Sequence, residues 1–278
     1  MIGLKRLVRS RRGLLGGIVV AVMLIVGLLA PAVAPYGYST QSLLQRLKPP
    51  TVAHWLGTDG FGRDILTRVV WGARVSLQIG FLATGLAILV GTAVGGTAGY
   101  FGAAVDTAIM RVADVFMSVP ALFLILVVVA LFGASLLNTA LVVGLVTWAP
   151  VARIVRGECL SLRARDFVEA ARALGASHGR ILARHVLVNA VPAIIVQGTL
   201  LLGQTILIES GLSYLGLGAQ PPTPSWGNMV VEGRQFLGSA WWVSTFPGLA
   251  IFVTVLGFNL FGDGLRDALD PALRAGSR

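Results

Sequence analysis

The chain has 278 residues, of which 55% are hydrophobic and only 12% charged, with a mean hydropathy of +0.82 and a formal net charge of +10. Soluble domains carry about 25% charged residues, so an ordinary soluble enzyme is all but excluded, and disorder, which needs low hydrophobicity, is excluded with it. The composition is that of a protein that crosses a bilayer several times.

The chain opens on a basic cluster, Lys5, Arg6, Arg9, Arg11 and Arg12. Five runs without Asp, Glu, Lys or Arg follow, at 13–45, 75–105, 115–152, 186–208 and 235–262. A bilayer-spanning helix needs about 20 apolar residues. The run 115–152 is too long for one crossing and suits two, with Gly133, Ser135 and Asn138 supplying the turn between them. Six transmembrane helices are therefore predicted, at 14–35, 76–100, 114–133, 138–154, 187–209 and 243–263. The uncharged stretch 210–231 holds Pro221, Pro222 and Pro224 and reads as a loop. The runs are continuous rather than alternating, which argues against a β-barrel. The first helix ends in Ala32-Val33-Ala34 like a signal peptide. Its apolar stretch exceeds the usual core of about 7–15 residues and Pro35 stands where cleavage would fall, so a retained anchor is expected.

Basic residues set the orientation. With the N-terminus inside, the cytoplasmic segments hold 16 of the 22 Lys and Arg, and the external segments 36–74 and 210–242 hold the other 6. Both termini are thus expected in the cytoplasm. The positive charge lines one membrane face and meets lipid and cytoplasmic partners, not nucleic acid.

Several chemistries find no residues. Only two lysines occur, Lys5 and Lys48, neither in a phosphate-binding G-x-x-x-x-G-K-[ST] loop, and no His or Cys cluster offers a metal site. Cys159 is the sole cysteine, so no disulfide forms within the chain. The stretch Asp59 to Asp64 resembles a calcium loop superficially, but lacks its alternating ligands and reads as a turn entering a helix. An enzyme acting alone is a poor reading.

Other segments suggest roles. Ile65, Leu66, Val69 and Val70 share one face of an amphipathic external helix, with Asp64 and Arg68 at i,i+4 opposite. Gly91, Gly95 and Gly99 recur every fourth residue in the second span, a helix-packing seam for a neighbouring span or a second subunit. Asp114 opens the third span within reach of Arg111, and Glu209 closes the fifth; both are gate candidates. Asn138, Gln204 and Asn259 are candidates to line a pathway. The charged stretch 153–186 contains Asp166 to Leu174, a short helix with Phe167, Ala170, Ala171 and Leu174 spaced as one apolar stripe and Gly175 placed to end it. That helix lies on the bilayer or plugs into a soluble partner.

Glu169-Ala170-Ala171, three residues, then Gly175 resembles the E-A-A-x-x-x-G signature of ATP-binding-cassette (ABC) importer permeases. The family's following I-x-L-P is not kept at His185 to Val188, and a proline break is expected at Pro192 instead. Longer strings resemble the C-type subunit of dipeptide and oligopeptide permeases: His54 to Asp64, Gly72 to Leu77, Gly211 to Gly218, Pro221 to Gly227 and Gly262 to Pro271. The resemblance implies an all-α polytopic protein with the type I importer permease fold. It divides the chain into residues 1–74, an anchor and external segment, a permease core 75–264 with its coupling loop at 153–186, and a cytoplasmic tail 265–278. It implies ATPase coupling through Glu169, Ala170, Ala171, Arg172, Leu174 and Gly175. The implied partners are a homologous permease, two ATPase subunits that bind the ATP and Mg, and an external substrate-binding protein, in a bacterial inner membrane. This chain itself would hold no cofactor and catalyse nothing. Nickel-type permeases share most of these strings, so a nickel or other small-solute permease is an alternative, and a membrane scaffold without transport is another.

Overall fold

The computed structural model describes Leu7 and residues 10–269, so the basic residues Lys5, Arg6 and Arg9 and the segment 270–278 lie outside it. The described chain is almost entirely helical; among the described residues a single isolated bridge, Thr58 to Asp64, is the only β-type pairing. Ten helices frame it: α1 (Arg11–Leu28), α2 (Ile65–Phe101), α3 (Ala103–Ser118), α4 (Ala121–Phe132), α5 (Leu136–Val146), α6 (Trp148–Arg163), α7 (Asp166–Ala173), α8 (Leu187–Tyr214), α9 (Trp226–Arg234) and α10 (Trp242–Leu269). Four of these, α1, α2, α8 with its short lead-in, and α10, are long and apolar enough to cross a membrane singly. The pairs α3–α4 and α5–α6 meet the same test as bent units, which gives six spans when each pair counts as one.

The differences from the expected helices have local causes. The third span bends by 83° between α3 and α4, because Pro120 forces Val119 out of the helical region to φ −98°, ψ 129°. The fourth bends by 41° at Thr147; Pro150 has no N–H to bond the Val146 carbonyl. Asp64 caps α2 by accepting the Thr67 N–H at 2.7 Å, so the external amphipathic helix and the second span form one rod of 37 residues. The expected Asp64–Arg68 pair does not form; Asp64 meets His54 at 2.9 Å instead. Pro192 sits inside α8, and the irregularity lies before it, in a π-type turn at Leu182–Val186. The stretch 210–231 is not all loop. Helix α8 runs on to Tyr214, and Ser225, accepting the Asn228 N–H at 3.3 Å, starts α9 directly after the prolines. Helix α10 likewise continues to Leu269, so the expected tail begins inside it.

Packing follows the glycines. Helices α1 and α10 run antiparallel with Gly13 against Gly264 and Gly257 against Val19, which brings the start of α1 beside the last turns of α10. Helices α5 and α6 run alongside α2 in the same direction, Gly144 against Ala83 and Leu86, Gly91 against Trp148 and Val151, Gly99 against Arg156 and Cys159. The seam Gly91–Gly95–Gly99 thus faces α6 of its own chain. Adding a Cβ at Gly95 would drive it into the Ala152 backbone.

Candidate functional site

Two polar regions sit at opposite ends of α2. At its N-terminal end the turn 58–64 closes through Asp59, which accepts the backbone N–H groups of Phe61 at 2.8 Å and Arg63 at 3.0 Å. The other Asp59 oxygen receives Arg63 at 2.6 Å and Arg68 at 2.5 Å. Both arginines also reach Glu232 of α9 at 2.6 Å. Asp59, Arg63 and Arg68 are all buried, so this ring of two acids and two bases fastens the 36–74 segment to α9. Sequence reasoning did not find it. The available signal was Arg68, a cation on a helix otherwise headed into the apolar run.

Glu209 lies nearby, fully buried at 0% exposure. Its carboxylate accepts from Ser213 at 2.7 Å on the same helix and from Ser76 of α2 at 3.1 Å. Ser76 in turn accepts the Trp226 N–H at 3.4 Å, and Ser213 meets Ser225 at 3.2 Å. One acid therefore joins α2, α8 and the N-terminus of α9 through hydroxyl groups, with no cation beside it among the described residues.

The remaining pathway candidates do not converge on it. Asn138 donates to the Phe132 and Gly133 carbonyls at 3.0 and 3.2 Å, closing the turn between α4 and α5. Gln204 on α8 and Asn259 on α10 are exposed. Asp114 pairs with Arg153 of α6 rather than with Arg111, and Asp106 beside it forms a two-pronged bond with Arg156 at 2.6 and 2.5 Å. These two pairs tie α3 to α6.

At the C-terminal end of α2 lies α7. Asp166 and Glu169 occupy its first turn, where the helix dipole favours acids. Gly175, at φ +80°, ends it, with the Ala176 N–H bonded back to the Ala171 carbonyl at 3.1 Å. The expected apolar stripe is split. Val168 and Ala171 are buried with Val155, Cys159, Ile181 and Val186, while Phe167 is 40% and Leu174 88% exposed. Ala170, Glu169 and Arg172 are exposed with them. The loop is held from behind by Tyr100, whose hydroxyl meets His178 Nδ1 at 2.9 Å. A firmly seated short helix thus presents two large apolar side chains, Phe167 and Leu174, outward. Cys159 is buried beneath it, consistent with a packing role.

The described chain is thus a multi-span helical fold with one short helix, α7, displayed on a loop. Residues 87–275 match the family model described as binding-protein-dependent transport system inner membrane component, and the chain belongs to that family. Residues 2–50 match the N-terminal TM domain of oligopeptide transport permease C. The chain is 43% identical to the dipeptide transport system permease protein of Alkalihalophilus pseudofirmus, over 98% of this chain and 89% of that protein. It is 39% identical to the oligopeptide transport system permease protein of Bacillus subtilis, over 95% and 87%. The glutathione transport system permease protein of Pectobacterium atrosepticum is 40% identical over 98% and 90%. In fold it resembles the inward-facing methionine ABC transporter MetNI, with a TM-score of 0.60 at 18% identity, over 77% of this chain and 98% of that one.

Proposed function

We infer that this chain is a transmembrane permease subunit of an ATP-driven importer of dipeptides or oligopeptides. High-coverage similarity to dipeptide and oligopeptide permeases supports the substrate class. In this reading it lies in a bacterial inner membrane with both termini cytoplasmic, beside a homologous permease with which it encloses the pathway. Two ATPase subunits carry ATP and Mg, and an external binding protein delivers peptide to the face around α9 and the 36–74 segment. This chain supplies pathway and coupling and no hydrolytic site.

The observation that carries the coupling role is the outward display of Phe167 and Leu174 on α7 while Val168 and Ala171 anchor the same helix in the core. Movement of an ATPase groove holding α7 reaches the spans through that anchor. Binding of ATP and of the loaded delivery protein then shifts the pathway between its two facings only insofar as each prefers one of them. The test is reconstitution of the chain with its co-encoded subunits in proteoliposomes. Peptides should stimulate ATP hydrolysis and accumulate inside. Stimulation by nickel and not by peptides would overturn the substrate assignment, and purification without any ATPase would overturn the transport reading.

A further inference from the structure

A cavity of about 390 Å³ opens behind α7, between the end of α2 and the end of α6, lined by Tyr100, Phe101, Arg163, Ala164, Arg172 and His178. Its size lies in the range of small-molecule sites, about 300–1,000 Å³. Two guanidinium groups and an imidazole line it, and no carboxylate does. The arginines that neighbour α3 spend themselves on acids, Arg153 on Asp114 and Arg156 on Asp106. The two that line the cavity form no ion pair among the described residues, although Asp106 lies within electrostatic reach of Arg163. Arg163 makes one bond, from its guanidinium to the Tyr100 carbonyl at 3.2 Å, which leaves most of its five N–H donors unused. The Arg172 side chain has no hydrogen-bond or ion-pair partner among the described residues. Gly102, at φ +67°, makes room for Arg163, since a Cβ there would sit 3.2 Å from the central guanidinium carbon.

The tyrosine–histidine contact adds a donor. If the Tyr100 hydroxyl donates to His178 Nδ1, the imidazole Nε2–H is left over; if Nδ1–H donates, the phenol O–H is left over. Either way the pair offers one more hydrogen to an incoming oxygen. Forked guanidinium donors and a neutral donor around a space without acids make a site for a tetrahedral oxyanion. The cavity stands at the C-terminal end of α2, the helix of the second predicted span, with Tyr100 buried against His178 and Phe101 half-exposed. Basic pockets between the ends of transmembrane helices hold anionic lipid headgroups.

We propose that this cavity binds a phosphate group, carried either by an anionic phospholipid headgroup or by a free phosphate compound, directly behind the helix that faces the partner. Its occupant would bridge α6 to α7 through Arg163 and Arg172 and so stiffen the seat of α7.

The assembled importer, purified with its partner subunits, is placed in nanodiscs of phosphatidylcholine with or without phosphatidylglycerol. Lipid retained after delipidation is counted by native mass spectrometry, and binding of radiolabelled inorganic phosphate is measured in the phosphatidylcholine discs. The complex should hold one of the two ligands above background, and R163Q/R172Q should bind it roughly ten- to hundredfold more weakly. Retained phosphatidylglycerol that free phosphate does not displace assigns the site to lipid; saturable phosphate binding assigns it to a soluble phosphate. R172Q alone removes no contact within the chain, so it folds and should weaken binding by itself, with R172K restoring part of it. Equal binding by the parent complex and R172Q in both arms, or no binding in either, overturns the proposal.

Discussion

Arg68 and Glu232 meet at 2.6 Å across 164 positions of chain, with Arg68 only 2% exposed. Arg63 reaches the same carboxylate, and Asp59 receives both arginines from the other side. Removing Glu232 leaves Asp59 alone to balance two buried arginines, which costs less than the roughly 3–5 kcal/mol of a fully stranded buried charge. Glu232→Ala should therefore lower the thermal unfolding midpoint of the purified protein clearly, with Glu232→Gln intermediate. A midpoint unchanged in both variants would show that the ring contributes nothing to holding α9.

The glycines of α2 separate cleanly. Nothing lies within 4 Å of a Cβ built at Gly85, whereas one at Gly95 would strike the Ala152 backbone. Gly85→Ala should be neutral or stabilising by up to about 1 kcal/mol. Gly95→Ala should destabilise by about 1–3 kcal/mol or more as α2 and α6 are pushed apart. Because the seam faces α6 of the same chain, the loss should appear in the isolated subunit and not only on assembly with a second permease.

At the outward-facing loop, Glu169→Lys should leave insertion into the membrane intact while separating ATP hydrolysis from uptake in proteoliposomes. Gly175→Val should do the same, since φ +80° costs a residue with Cβ about 1–2 kcal/mol and a β-branched one more. Gly175→Asn, which tolerates that conformation, should stay coupled. Normal coupled uptake in both Glu169→Lys and Gly175→Val would remove α7 from the coupling role.

Glu209 offers a graded series. Glu209→Gln keeps an acceptor for one serine and leaves one hydroxyl hydrogen unpaired, a loss of about 1–3 kcal/mol. Glu209→Leu removes the acceptor of both Ser76 and Ser213, leaving Ser213 only its contact with Ser225, and should cost more. Hydrogen exchange in α9, whose first residues hang on this cluster through Ser225 and Trp226, should rise in the order parent, Gln, Leu. Exchange rising equally everywhere would point to general loosening rather than a local joint.

The apolar spans were legible because burying charge in lipid is so costly that composition alone marks them. Their bends were less so, although Pro120 and Pro150 stood in the sequence, because an uncharged run says nothing about direction. Helix α9 escaped notice because it is short and its anchors are distant: Ser225 is a local cue, but Glu232 needs Arg68 and Trp226 needs Val69, whose carbonyl accepts its indole N–H at 2.9 Å. The stripe on α7 reads in the sequence as one apolar face for the bilayer or a partner, whereas packing against α6 and the π-type turn draws Val168 and Ala171 inward. Phe167 and Leu174 face out, as suits a chain whose surface is shared with partners. Asp114 was matched to its sequence neighbour Arg111, and only the fold brings Arg153 closer.

The 37 unbroken residues of α2 amount to a strut about 55 Å long, well beyond the hydrocarbon thickness of roughly 30 Å. One tip carries the charge ring that grips α9 and the other carries the tyrosine that steadies the α7 loop. A tilt of a few degrees at either tip sweeps the far one through ångströms, so the charge ring and the α7 loop sit on the two ends of a single rigid piece of backbone.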